Sequence, residues 1–213
     1  MLPSYMNTLN LTSLSSEAVS DLSQSFKLLP KTAHADGQYR LRRYSVIQFT
    51  HGKVIQTDRH NFMQTDEINH FQGNVIRHFE SILDQTLNSE GFREMCGLFV
   101  EANSLPEDQE IEVHQMRIAA VFDETQVAPE GVHQDGFDCI ALIGIDRHNI
   151  VGGEVLLYND NHTAPFYRKV LENGEVAILD DHKLWHNAMP IRIVDHNLEG
   201  HMDVFVLTAR KPQ

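Results

Sequence analysis

Residues Pro129–Ile145 read PEGVHQDGFDCIALIGI, a turn punctuated by proline and glycine that opens into an unbroken apolar run. A short apolar run bounded by turn signals reads as a buried strand. Runs of the same kind recur from Ile111 onward: IEVHQMRIAAVF, GEVLLYN, GEVAILDD, LWHNAMPIRIV and MDVFVLTAR. Gly, Pro and Asn/Asp clusters separate them. Several short strands at regular spacing predict an antiparallel sandwich or barrel. Its natural form is a double-stranded β-helix, the cupin-like jelly roll.

The chain before Ile111 reads differently. Ser15–Leu29 carries Val19, Leu22, Phe26 and Leu29 at helical spacing and is ended by Pro30. Tyr39–Phe49, YRLRRYSVIQF, follows an ADGQ turn signal and reads as a strand. From Asp66 to Leu87 a stripe of Ile68, Phe71, Val75, Phe79, Ile82 and Leu83 predicts a second helix, with Asp66 as its N-cap. The predicted class is mainly β with flanking N-terminal helices. One domain is expected over 1–213, with a helical flank carrying one strand (about 1–90) and a jelly-roll core (about 111–210).

Composition narrows the partners. The formal charge of −13 argues against nucleic acid or an anionic membrane surface. No apolar run is long enough to span a bilayer, and the first residues lack the basic and apolar regions of a signal peptide. Two cysteines, Cys96 and Cys139, read as unpaired thiols in a reducing, cytoplasmic setting. A homodimer is the default expectation for a soluble oligomer.

His133 and Asp135 stand one residue apart at the mouth of the apolar run, and strand geometry would turn both to one face. With 13 histidines, chance supplies roughly one His-x-Asp. His34/Asp36, His133/Asp135 and His201/Asp203 are all present, so the motif alone is weak. Context separates them: only the middle pair opens a buried-looking strand and has a well-placed third candidate downstream, His186. Two imidazoles and a carboxylate make a facial triad of the kind found in non-haem Fe(II) oxygenases, with three adjacent positions open. The competing reading is a pair of half-buried histidines bonded to backbone. His182 and His186, four apart, would suit a zinc helix, but HKLWH lacks the Glu and sits among strand and turn signals. Asp180 and Asp181 offer a carboxylate dyad with nothing beside it to mark a substrate site.

From about Tyr39 to Arg210 the sequence resembles the bacterial Fe(II)/2-oxoglutarate-dependent dioxygenases that include the L-isoleucine 4-hydroxylases. The likeness rests on RLRRYS, VHQMR, HQD, VGGEVLLY and WHNAMPI…MDVFVLT, in that order. It implies Fe(II), 2-oxoglutarate and O2, with His133, Asp135 and His186 as metal ligands and hydroxylation of a C–H bond as the reaction. Asp135 favours hydroxylation over halogenation, since halogenating relatives lose this carboxylate. Gln115 and Arg117 match the family's Gln-x-Arg. They share a strand face, so Arg117 serves either a carboxylate in the pocket or a structural ion pair. Gly152 and Gly153 match a Gly-Gly expected at a barrel bend.

One position departs from the resemblance. The family usually has an arginine just before the DV of the last strand, to pair with the distal carboxylate of 2-oxoglutarate; here it is Met202. Arg210 lies eight residues on, roughly 26 Å away at ~3.3 Å per residue. Arg192 is the first candidate for a relocated anchor and Arg117 the second. The implied substrate is a small molecule, a free L-amino acid or a derivative, with Arg40, Arg42 and Arg117 as candidate anchors. Two alternatives stand beside this reading: an iron oxygenase with a different 2-oxo acid or no co-substrate, and a non-catalytic jelly-roll binding protein.

Overall fold

The structure is a computed structural model that describes residues 8–59, 61–62 and 76–212. In chain order its elements begin with β1 (Leu9–Ser13), α1 (Ser16–Ser23), a 3-10 turn (Gln24–Leu28), β2 (Arg40–Thr50) and β3 (Lys53–Gln56). There follow β4 (Asn61–Phe62), β5 (Arg77–His78), α2 (Asp84–Leu87), α3 (Glu90–Asn103), β6 (Glu110–Ala119) and β7 (Cys139–His148). The rest are β8 (Ile150–Gly152), β9 (Val155–Tyr158), β10 (Tyr167–Lys169), β11 (Glu175–Asp180), β12 (Trp185–Ala188), β13 (Ile191–Ile193) and β14 (His201–Ala209).

The fold is a jelly roll. Its major sheet runs β1-β11-β7-β14-β6-β2-β3, all antiparallel, and the opposing layer is built from β10-β9-β12 and β13-β8. The runs of β7, β11 and β14 look almost continuously apolar because the middle of the major sheet is covered on both faces. Ala141, Ile143, Ile145, Phe205 and Leu207 pack outward against Leu22 and Phe26 and against Phe92, Met95 and Phe99 of α3. Phe205 sits between Phe26 and Phe92 in edge-to-face contacts at 5.1 and 6.0 Å. The other face, with Ile140, Leu142, Met116, Ile118 and Val204, looks onto the minor layer and the cavity.

Ser15 caps α1 by accepting the N–H of Ala18, and Ser89 caps α3 by accepting the N–H of Phe92. The strand expected at Tyr39–Phe49 is β2, and the helix expected from Ser15 is α1 with its 3-10 extension. The flank contributes more than one strand, since β1, β2 and β3 all join the major sheet. The helix expected over Asp66–Leu87 is corrected where it can be compared. Ile76–Leu83 holds β5 and irregular chain, and only Asp84–Leu87 is helical; Asp66–Val75 lies outside the described residues. Ile82 is buried in the core without helix geometry, so its spacing reflects packing against the sheet. Helix α3 has Phe92, Met95, Cys96 and Phe99 on one buried face.

Candidate active site

The backbone of His133 is bridged to that of His186: each N–H donates to the other's carbonyl, at 3.0 and 2.9 Å. The two imidazoles therefore lie side by side, with ring centroids 4.3 Å apart. Asp135 completes the group, its two oxygens each 3.5 Å from one Nε2, that of His133 and that of His186. His186 lies within β12, as expected. His133 and Asp135 do not share a regular strand; they occupy irregular chain ahead of β7, where only the single bridge at His133 has strand pairing.

What shapes that loop is Asp181, buried at the end of β11. Its carboxylate accepts the backbone N–H groups of Asp135, Gly136 and Phe137 at 3.1, 2.7 and 3.1 Å. The side-chain amide of Gln134 donates to the carbonyl of the same residue. Three donors on one carboxylate define the loop better than strand pairing would. Asp181 also lies 3.7 Å from Nδ1 of His186. A carboxylate behind a ligating imidazole is the usual outer-shell arrangement of a metal site.

The donor set fits Fe(II). Nδ1 of His133 lies 2.8 Å from the Gly131 carbonyl, which accepts its proton and leaves Nε2 as the ring nitrogen facing the shared point, free to ligate once a metal displaces its proton. Burial raises the Asp135 carboxyl, but the two imidazoles outweigh it and hold it well below the usual carboxylate range. For His133 burial opposes the charge, while Asp135 and then Glu130 lift it to about 9. Burial is the main reason Asp181 is raised. Two imidazoles and one carboxylate on one side leave the remaining coordination positions open to the cavity.

Three arginines form one wall of that cavity: Arg40, Arg42 and Arg77, each buried. Arg40 is bonded to Asp36 at 2.8 Å and lies 3.5 Å from Oε1 of Glu130. Oε2 of Glu130 is buried without a hydrogen-bond partner among the described residues. Among the described residues Arg42 makes no ion pair; its guanidinium lies 5.0 Å over the ring of Phe79. Burial, then the like charge of Arg40, lowers Arg42 to about 9.

Other expected residues fall elsewhere. Gln115 and Arg117 do share a face of β6, but it is the face turned away from the cavity, which His114, Met116 and Ile118 line instead. Gln115 donates to Ser25 at 2.6 Å. Arg117 makes a bidentate pair with Asp203, 2.7 Å on both arms, so the ion-pair alternative is the one realised. Arg192 is exposed on β13, outside the cavity lining. His182 is exposed and bonded to Asp138 at 2.6 Å, off any helix. Asp36 belongs to Arg40. A second His/Asp group, Asp146, His201 and Asp203, has its buried carboxylate already neutralised by Arg117 and its imidazole bonded to Asp146.

Several solved structures share this architecture. A bsmA homologue from Methylobium petroleophilum aligns with a TM-score of 0.77 and 23% identity, over 92% of this chain and 81% of the other. IDO from Bacillus thuringiensis gives 0.77 and 17%, over 97% and 92%. The Fe(II)/α-ketoglutarate-dependent dioxygenase TqaL gives 0.69 and 14%, over 98% and 84%. At these identities the likeness carries the fold alone. No curated protein matches the sequence. The model of the 2OG-Fe dioxygenases matches residues 23–208, most of the chain, including the whole His-x-Asp…His constellation. The chain therefore belongs to the 2OG-Fe dioxygenase family, whose chemistry uses Fe(II), 2-oxoglutarate and O2.

Proposed function

We propose that this protein hydroxylates an unactivated C–H bond of a free L-amino acid or a close derivative, with His133, Asp135 and His186 holding the iron. When bound, iron with 2-oxoglutarate and dioxygen supplies the oxidant, and 2-oxoglutarate leaves as succinate and carbon dioxide. The chain's part is to hold the reacting carbon near the three ligands and keep water away from it.

The observation that carries the substrate class is a pair of incompletely used groups on one wall. Arg42 offers a buried guanidinium with no carboxylate among the described residues, and Glu130, whose Oε1 faces Arg40, keeps a buried Oε2 with no donor among them. Buried polar groups are normally matched, so a ligand bringing both an anion and a cation would complete the wall. A zwitterionic α-amino acid has that pattern: carboxylate toward Arg42, ammonium toward Glu130. A peptide substrate has neither charge at its reacting residue.

The test is a matched panel of free L-amino acids, their N-acetyl forms and their amides, followed by succinate release and by product mass. Turnover with free amino acids that falls sharply for both blocked forms supports the reading. Equal turnover of free and blocked forms removes it.

A further inference from the structure

The far end of the cavity is closed by β7, β14 and the Gly152–Gly153 bend. On β14, Thr208, Val206 and Val204 face the cavity, and their partners on β7 are Ile140, Leu142 and Gly144. Strict alternation would bring Asp146 inward next. Instead the register slips by one residue: Val204 pairs with Gly144 but Asp203 with Asp146, so β7 carries Ile145 as an extra residue. A bulge of this kind re-aims the side chains beyond it. Asp146 stands opposite Asp203 and groups with it and His201, while Arg147 stands opposite Met202; both Asp146 and Arg147 border the cavity.

The environment of Arg147 is incomplete. Nη2 donates to the Gly152 carbonyl at 2.7 Å, while Nη1 is buried with no hydrogen-bond partner among the described residues. No carboxylate pairs with it among the described residues, and Glu154, one of the acidic groups whose charge reaches it, is taken by Arg168 at 2.7 Å. Gly153, at φ +73°, gives it room: a Cβ there would stand 3.1 Å from Sδ of Met202 and 3.2 Å from Nη1 of Arg147. The guanidinium and Met202 thus fill the same corner.

We propose that Arg147 binds the distal carboxylate of 2-oxoglutarate, a task relocated across the strand pair from position 202. The assignment rests on His133, Asp135 and His186 holding the metal at the other end. The reach is suitable. His186 pairs with Leu157, and Gly153 lies four residues back along the same segment, at most roughly 13 Å at ~3.3 Å per residue. A five-carbon diacid held between the His133, Asp135 and His186 group and Nη1 of Arg147 would span a distance within that limit.

The experiment is anaerobic calorimetry on the Mn(II)-loaded protein with 2-oxoglutarate and with 2-oxobutyrate, which lacks only the distal carboxylate. Arg147→Met is expected to weaken 2-oxoglutarate by about 10- to 100-fold, the worth of hydrogen bonds to a charged group, and to leave 2-oxobutyrate unchanged. Adding Met202→Arg to Arg147→Met is expected to recover at least a tenfold share. Unchanged 2-oxoglutarate affinity, an equal loss for both acids, or no recovery in the double variant each overturns the assignment. A direct Mn(II) titration of His186→Ala reads the metal-ligand assignment separately, so the two ideas fail in different measurements.

Discussion

Asp181 and Asp135 are joined through the backbone: the carboxylate of the first accepts the N–H of the second at 3.1 Å and those of the next two residues as well. The geometry of the proposed metal ligand is thus set by a residue 46 positions away in sequence. Asp181→Ala strands three backbone donors. The expected result is a loss of about 2–4 kcal/mol in stability by chemical denaturation, with metal affinity falling roughly 10- to 100-fold. Asp181→Asn keeps an acceptor and should lie between wild type and Ala on both measures. Wild-type metal affinity in Asp181→Ala would remove the carboxylate from any supporting role.

Asp135→Ala removes the only carboxylate of the proposed triad. Hydroxylation is expected to vanish while the far-ultraviolet circular dichroism stays that of the wild type. Stripping the wild-type protein with a chelator should have the same effect, reversed by Fe(II) and not by Mg(II), since two imidazoles suit iron far better than a hard, oxygen-seeking cation. Product formation at the wild-type rate in Asp135→Ala would dismiss the triad.

Glu130→Gln tests the ammonium contact. The amide keeps the shape and loses the charge, so KM for the amino acid should rise about tenfold or more, with smaller change in kcat. KM for 2-oxoglutarate should hold steady. An unchanged amino-acid KM would detach Glu130 from the substrate.

Arg117 gives a contrasting expectation. Asp203 is almost fully buried, and burial raises its carboxyl while the bidentate Arg117 pair pulls it back. Arg117→Met leaves that carboxylate without its main partner and should cost about 3 kcal/mol or more, read as a lowered denaturation midpoint. The affinity for 2-oxoglutarate, measured below that midpoint, should not change, because the side chain faces away from the cavity. A selective loss of 2-oxoglutarate binding would return Arg117 to the pocket.

Much of this architecture was legible in the residues themselves. The runs after Ile111 mark β6, β7, β9, β11, β12 and β14; those of β7, β11 and β14 are the most apolar, because the middle of the major sheet is covered on both faces. The three residues that converge, His133, Asp135 and His186, stand out by their position at the edges of such runs. Helix α3, which is not among the expected elements, also carries its signal, an apolar i, i+3, i+4, i+7 stripe of Phe92, Met95, Cys96 and Phe99 behind the cap Ser89. The helix-like stripe ending at Leu83 misled, since buried irregular chain can place apolar residues at the same intervals.

Sequence by itself determined the class of fold, singled out His133, Asp135 and His186 as candidate donors, and showed methionine at position 202 where the resembling family has an arginine. Only the tertiary structure decided which side chains reach the cavity. A period of two says that Gln115 and Arg117 share a face, but which face is buried against helix and which lines the cavity depends on the layers packed around the strand. One extra residue at Ile145 then reverses the alternation, setting Asp146 opposite Asp203 and Arg147 opposite Met202. Register is a property of two strands together, so no reading of either strand alone contains it.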